Sequence, residues 1–141
     1  MGFWWSQNKI GKTIFKKGKK KYQVVCNFKN LKEKLRTKNF FGIFGVADNY
    51  VRKNIFVVLK KFKIKWESII SIDSKINPNV KIGKGSFVAS NSFINTGTII
   101  NEHCIINTSS SLDHDNLFKN FSSTAPGVVT GGNVKVEESS H

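Results

Sequence analysis

The chain has two cysteines and two prolines in 141 residues, nine acidic side chains against 23 basic ones, and no apolar run approaching the length of a membrane span. Each shortage excludes something. Cys26 and Cys104 stand far apart and fall in no C-x-x-C or Cys/His spacing, so neither a disulfide framework nor a zinc site is indicated, and a reducing cytoplasm is the compartment that fits. A spanning helix needs about 20 consecutive apolar residues, so no transmembrane segment is expected. Residues Met1 to Ser6 lack the basic-then-apolar order of a secretory signal. Met1-Gly2 with Ser6 matches a myristoylation pattern formally, but so short a match carries little weight. No G-x-S-x-G nucleophile motif and no G-x-G-x-x-G phosphate loop occurs.

The shortage of acid is confined to the first half. Residues 1–65 carry 18 Lys and Arg against Glu33 and Asp48, net +16, whereas residues 66–141 carry five Lys against seven acids, net −2. A basic half with Phe3, Trp4, Trp5, Phe15 and Tyr22 has the charge and aromatics to meet an anionic partner such as RNA or a membrane surface. It has no recognisable RNA-binding signature, so a nucleic-acid partner is not expected. Lys, Asn, Ile and Phe are all abundant, as A+T-rich codons produce, and that is the preferred reading of the charge.

What the second half has is a period. From Ile76 to His141 it divides without insertion into eleven six-residue words that begin at Ile76, Ile82, Val88, Ile94, Ile100, Ile106, Leu112, Phe118, Thr124, Thr130 and Val136. The fifth letter is small or β-branched in most words, as at Ser86, Thr98, Cys104 and Ser110. Helices repeat at 3.6 residues and pleated strands at 2, so a beat of six belongs to neither. It is the beat of a β-solenoid with three flat faces. Three words make an 18-residue coil, and 66 residues make about 3.7 coils. A β-sandwich of short strands has no reason to keep such a beat. The fold class expected is mainly β, a left-handed parallel β-helix over 76–141, preceded by a partial α/β nucleotide-binding-like (Rossmann-like) domain over 23–75 and a basic, poorly ordered arm over 1–22.

Within 23–75, Gln23 to Phe28 is a candidate strand and Asn30 to Lys38 a short helix. Phe40 to Val46 is an apolar run suited to a buried strand, in which Gly42 and Gly45 allow close packing. Ala47-Asp48-Asn49 offers a turn and a helix N-cap, followed by a helix from Tyr50 to Phe62 with Val51, Ile55, Val58, Leu59 and Phe62 on one stripe. Trp66 to Ile72 is a second strand leading into the solenoid.

The residues that could do chemistry lie in the word Leu112-Asp-His-Asp-Asn-Leu. A carboxylate beside an imidazole fixes its tautomer and raises its basicity, which makes His114 a candidate general base. Stacking at 18 residues puts Thr96 and Gly132, both small, on either side of it, and sets Asn77, Asn95, Asp113 and Gly131 in a column that can hydrogen-bond along the axis. The bland reading of Asp-His-Asp is a polar surface turn. His103 shares neither face nor stack with His114, so no paired-histidine metal site is expected, and it reads as a solvated corner residue.

The runs Ile76-Asn-Pro-Asn-Val-Lys-Ile-Gly-Lys-Gly, Ile105-Ile-Asn-Thr-Ser-Ser-Ser-Leu-Asp-His-Asp, Ala125-Pro-Gly and Gly131-Gly-Asn-Val-Lys-Val resemble the hexapeptide-repeat acetyltransferases of the sialic acid O-acetyltransferase and UDP-4-amino-sugar N-acetyltransferase family. Gly45-Val-Ala-Asp-Asn-Tyr-Val-Arg-Lys resembles the end of that family's small N-terminal domain. The resemblance implies transfer of an acetyl group from acetyl-CoA to an amine or hydroxyl of a sugar or nucleotide-sugar destined for a surface polysaccharide. It implies a cytoplasmic homotrimer with sites between subunits and no metal. His114 matches the general base and Asp115 the acid that raises its basicity, with Asp113 and Ala47 on the acceptor side and Ser123 on the acetyl-CoA side. Three departures accompany it: Ser123 stands where members often have a histidine contacting acetyl-CoA, Ala47 where they have glycine, and the chain begins without the glycine loop and stops at His141 in mid-coil. Both binding sites are therefore expected to be incomplete, and a non-catalytic β-helix oligomerisation module is the alternative.

Overall fold

A computed structural model describes residues 13–17, 20–23, 31, 33 and 40–141. The chain divides into two compact units, Met1–Phe40 and Phe41–His141. In the first, β1 (Thr13–Lys17) and β2 (Lys20–Gln23) pair as an antiparallel ribbon inside the segment expected to be a poorly ordered arm. Leu31 and Glu33 are helical; the rest of the helix expected over Asn30 to Lys38, and the strand expected beyond Gln23, lie outside the described residues.

β3 (Phe40–Gly42) begins at the boundary, and the second unit continues with α1 (Asn49–Leu59) and β4 (Ile64–Trp66), with β3 beside β4. The strand is shorter than the apolar run suggested. Gly42 allows the close approach expected of it, since a Cβ there would stand 2.7 Å from Ile64 Cγ2, whereas Gly45, expected to do the same, has nothing packed within 4 Å of that position. Asp48 is the N-cap, its Oδ1 accepting from Val51 N at 2.9 Å, which satisfies one of the orphan donors of the first turn.

From Ile69 the chain is a solenoid. Two-residue strands recur as β5 (Ile69–Ile70), β6 (Lys75–Ile76), β7 (Lys81–Ile82), β8 (Phe87–Val88), β9 (Phe93–Ile94), β10 (Ile99–Ile100), β11 (Ile105–Ile106), β12 (Ser111–Leu112), β13 (Leu117–Phe118), β14 (Val129–Thr130) and β15 (Lys135–Val136). They sort into three parallel sheets, β5-β8-β11, β6-β9-β12-β14 and β7-β10-β13-β15, in each of which the register step is 18 residues. Ser123 continues the first of these through a bridge to Ile105. The result is the left-handed parallel β-helix expected, of about four turns. It starts one word earlier than the sequence frame, because Ile69–Ile70 already pairs with Phe87–Val88.

The first letters do what the period requires. Val88, Ile94, Ile100, Ile106, Leu112 and Phe118 stack at 0–1% exposure with Cys104 among them. Full burial of such side chains contributes roughly 1.5–3 kcal/mol each. Where the first letter is threonine, the hydroxyl finds a partner: Thr124 Oγ1 accepts from Asn107 N at 2.8 Å, and Thr130 Oγ1 accepts from Asn116 Nδ2 at 2.7 Å. The fourth letter carries the corner. Asn79, Gly85, Asn91, Gly97, His103, Ser109, Asp115, Phe121, Gly127, Asn133 and Ser139 all have φ between +56° and +74°. Asn and Asp reach this left-handed region most easily after glycine, and a bulky residue such as Phe121 stays there only where packing holds it.

That packing corrects the reading of His103 as solvated. His103 is 1% exposed. Its ring lies against Phe121 (5.0 Å, 13°), Phe56 (4.5 Å), Trp66 (5.0 Å) and Phe44 (5.4 Å), and its Nδ1 has no hydrogen-bond partner. Burial, with a smaller push from the Arg52 charge, lowers its pKa from 6.5 to about 4. A folded-state pKa below the unfolded one means that the neutral ring is the stabilising form. The contribution, about 3 kcal/mol, is therefore complete above pH 6.5 and lost as pH falls towards 4. Chemical denaturation is expected to show this loss between pH 7 and 4.5, and His103→Asn, which suits the left-handed corner, to flatten it. A flat wild-type profile over that range would count against the buried neutral ring.

Candidate active site

His114 stands at the corner between β12 and β13, side chain 48% exposed. Asp115, at the left-handed fourth letter (φ +56°), turns its carboxylate back so that Oδ2 lies 2.9 Å from His114 Nδ1. A carboxylate only accepts, so Nδ1 carries the proton and Nε2 keeps a lone pair in the neutral ring. The Asp115 hydrogen bond, followed by the charge of Asp113, raises the His114 pKa. Asp113 Oδ1 accepts from His114 N at 2.8 Å and from Asn95 Nδ2 at 2.9 Å, and Asn95 Oδ1 accepts from Asn77 Nδ2 at 2.8 Å. The axial column therefore forms as an amide ladder that ends on a carboxylate. These two donors, Asn95 first, hold Asp113 below the usual carboxylate pKa.

Two further contacts fix the loop. Buried Asn116 donates to Asp113 O at 2.9 Å and accepts from Val134 N at 2.6 Å, tying this corner to the next coil. Gly132 lies over the imidazole: a Cβ there would sit 2.5 Å from Cε1 and 2.6 Å from Nε2. The imidazole thus fits against the next coil because position 132 has no side chain.

The other sequence candidates gather elsewhere. Ala47 O accepts from Arg52 Nη1 at 2.9 Å, and Ala47 lines an open cavity of about 370 Å3 with Asp48, Asn49, Tyr50, Ser139 and His141. Ser123 is buried; its hydroxyl donates to Asn49 Oδ1 at 3.0 Å and lies 2.7 Å from His141 Nδ1. This group belongs to the corner that carries His103, Phe121 and Ser139, whereas His114 belongs to the corner that carries Thr96 and Gly132. One copy of the chain does not bring Ala47 and Ser123 to His114.

Sequence reasoning gave Arg52 no role of its own: it entered as a charge and as one letter of the run that begins at Gly45. It is 1% exposed and spends its whole guanidinium on this corner: Nε on His103 O (2.9 Å), Nη1 on Val46 O (3.0 Å) and Ala47 O, Nη2 on Asn49 Oδ1 (2.6 Å) and Phe121 O (2.8 Å). Burial lowers its pKa. The available signal was its place one turn into the helix after the Asp48 cap. Among the described residues, no group of three or more His, Cys, Asp or Glu side chains could hold a metal ion, and no helix is long and apolar enough to cross a membrane.

No protein-family model matches the chain, and no curated protein does. Solved structures do. The acetyltransferase domain of PglB from Neisseria gonorrhoeae in complex with acetyl coenzyme A superposes with a TM-score of 0.64 at 28% identity, covering 67% of this chain and 46% of that one. A second structure of that domain gives 0.74 at 25% identity over 82% and 56%. GDP-perosamine N-acetyl transferase from Caulobacter crescentus, in complex with CoA and GDP-perosamine, gives 0.77 at 22% identity over 82% and 55%, a likeness of fold. The chain spans about half the length of the structures it matches.

Proposed function

From the premise that the solved structures sharing this fold are hexapeptide-repeat acetyltransferases, we propose that the chain carries the base-bearing part of an enzyme of that kind. It moves an acetyl group from acetyl-CoA to an amine or hydroxyl of a sugar or nucleotide-sugar. The observation that carries this reading is the His114 Nδ1 contact with Asp115, which leaves Nε2 basic on a half-exposed ring seated against Gly132. In the reaction, the acceptor nitrogen or oxygen attacks the thioester carbonyl carbon while Nε2 takes its proton. The tetrahedral adduct collapses with loss of the CoA thiolate, and the imidazolium returns the proton to sulfur. No metal and no covalent enzyme intermediate is needed. General-base assistance of this kind is worth about 10²–10⁴-fold.

Asp113 serves the acceptor side, and Ala47 and Ser123 line the ligand sites at the other corner. Because a single copy holds the two groups on different corners, a homotrimer that sets one copy's His114 beside another copy's Ala47 corner fits the arrangement. The setting we propose is the cytoplasm, where the modified sugar is on its way to a surface polysaccharide.

The test is release of CoA from acetyl-CoA by the purified chain, with UDP-amino sugars, GDP-perosamine and sialic acid as acceptors. Acceptor-dependent release is expected; none from a folded protein would favour the non-catalytic β-helix module. Gly132→Ala is expected to lower that rate by about 10², the scale of a 1 Å misplacement at a reacting centre, because the methyl group must displace the imidazole. An unchanged rate would place the reacting atoms elsewhere.

A further inference from the structure

We infer that Asn95 is a positioning residue of the active corner: with Asn77 one coil before it, it holds the Asp113 carboxylate by one oxygen and leaves the other to meet the acceptor. That the free oxygen meets an acceptor rests on the acetyltransferase reading; the hold on Asp113 does not.

Asp113 is pinned at every polar atom but one. Its N–H donates to Thr130 Oγ1 at 3.3 Å. Its carbonyl accepts from Thr98 Oγ1 at 3.0 Å and from Asn116 Nδ2 at 2.9 Å, and both of those side chains are buried. Its Oδ1 accepts from His114 N and from Asn95 Nδ2. Only Oδ2 has no partner among the described residues. Ordering a polar side chain costs conformational entropy, and a carboxylate held this fully with one oxygen presented is prepared to meet a ligand.

The ladder behind that carboxylate has one direction. Thr96 N donates to Asn95 Oδ1 at 2.8 Å, so that atom is the amide oxygen, and the atom facing Asp113 is Nδ2. Asn77 Nδ2 donates to the same Asn95 oxygen at 2.8 Å. Both amides thus turn their donor ends towards the carboxylate, an arrangement that favours its charged form. No hydrogen bond joins Asn95 to His114 among the described residues, so its influence passes through Asp113, whose charge in turn raises the basicity of His114. The turn itself does not need the ladder. Asn107 is the second letter of its word, as Asn95 and Asp113 are of theirs, and it makes the same local bond, Oδ1 accepting from Thr108 N at 2.8 Å. Among the described residues, no side chain of another coil hydrogen-bonds to that amide. Asn107 forms its turn without the cross-coil amides found at the corner that carries the histidine.

The test is carboxyl 13C NMR of Asp113 in the full chain against pH, with CoA release measured on the same samples. Asn95→Asp keeps an acceptor for Thr96 N and replaces the donor to Asp113 by a like charge; Asn95→Ala removes the group altogether. Both are expected to raise the Asp113 pKa, Asn95→Asp more, without moving the melting temperature, and Asn77→Ala to act in the same direction by less. Both Asn95 variants are also expected to lower kcat/KM for the acceptor about tenfold, short of the 10² scale of a 1 Å misplacement at a reacting centre, with the KM for acetyl-CoA unchanged. An amide that served only the fold would move the melting temperature and leave the acceptor kinetics alone. An unchanged Asp113 titration in both Asn95 variants, or a changed titration with wild-type acceptor kinetics, overturns the proposal. A changed titration in a chain that releases no CoA keeps the hold on Asp113 and removes the acetyl-transfer reading; turnover with an unchanged titration does the reverse.

Discussion

His114→Ala is expected to lower kcat/KM for acetyl transfer by about 10²–10⁴-fold with no loss of fold, because the side chain is half exposed and packs in no core. The raised His114 pKa gives the accompanying pH dependence its sign. The base works only when neutral, so kcat/KM is expected to rise with pH through a midpoint above the ordinary histidine value. Asp115→Asn removes the first cause of that shift and is expected to move the midpoint down as the rate falls. A His114→Ala enzyme as fast as the parent, at unchanged melting temperature, would remove the assigned base.

Arg52→Ala is expected to cost about 3–5 kcal/mol, the scale of a broken buried polar network. The guanidinium contacts the carbonyls of His103, Val46, Ala47 and Phe121 and the amide of Asn49. Removing it leaves these acceptors facing a cavity, beside an imidazole whose neutral form the same charge favours. Arg52→Lys keeps the charge but not the fork, and is expected to recover only part of the loss. Urea denaturation measures both; an Arg52→Ala midpoint within experimental error of wild type would show that the network is dispensable.

The legible and the hidden parts of this molecule separate by the kind of force involved. The solenoid was legible because a single apolar side chain per face sets its core, and Val88 to Phe118 announce that every six residues. The Asp113–His114–Asp115 corner was legible because stacking at 18 follows from the same count, and the Asn77–Asn95–Asp113 ladder came with it. The boundary at Ile69 was not, since Ile70-Ser-Ile-Asp-Ser-Lys follows a helix and a strand and reads equally well as their continuation. His103 was misjudged because nothing local to a corner histidine says that Phe44, Phe56, Trp66 and Phe121 will cover it. Arg52 and the Ser139–His141 corner were hidden for the same reason: their partners lie between 3 and 91 positions away, and the apolar rhythm does not carry that information. The fourth-letter column of left-handed residues was visible all along in Asn79, Gly85, Asn91 and Gly97, as turn chemistry rather than apolar rhythm.

The two periods, six for the core and 18 for the stack, restrict how such a chain can change length over generations. Loss or gain of six residues between His114 and Gly132 keeps the inward positions in frame, so the protein folds, but it rotates all later corners by one face and takes Gly132 away from His114. Loss or gain of 18 returns each face to its place. Viable insertions between the base and its roof are therefore expected in whole coils, and a lineage that drifts by one word keeps its architecture while losing its chemistry.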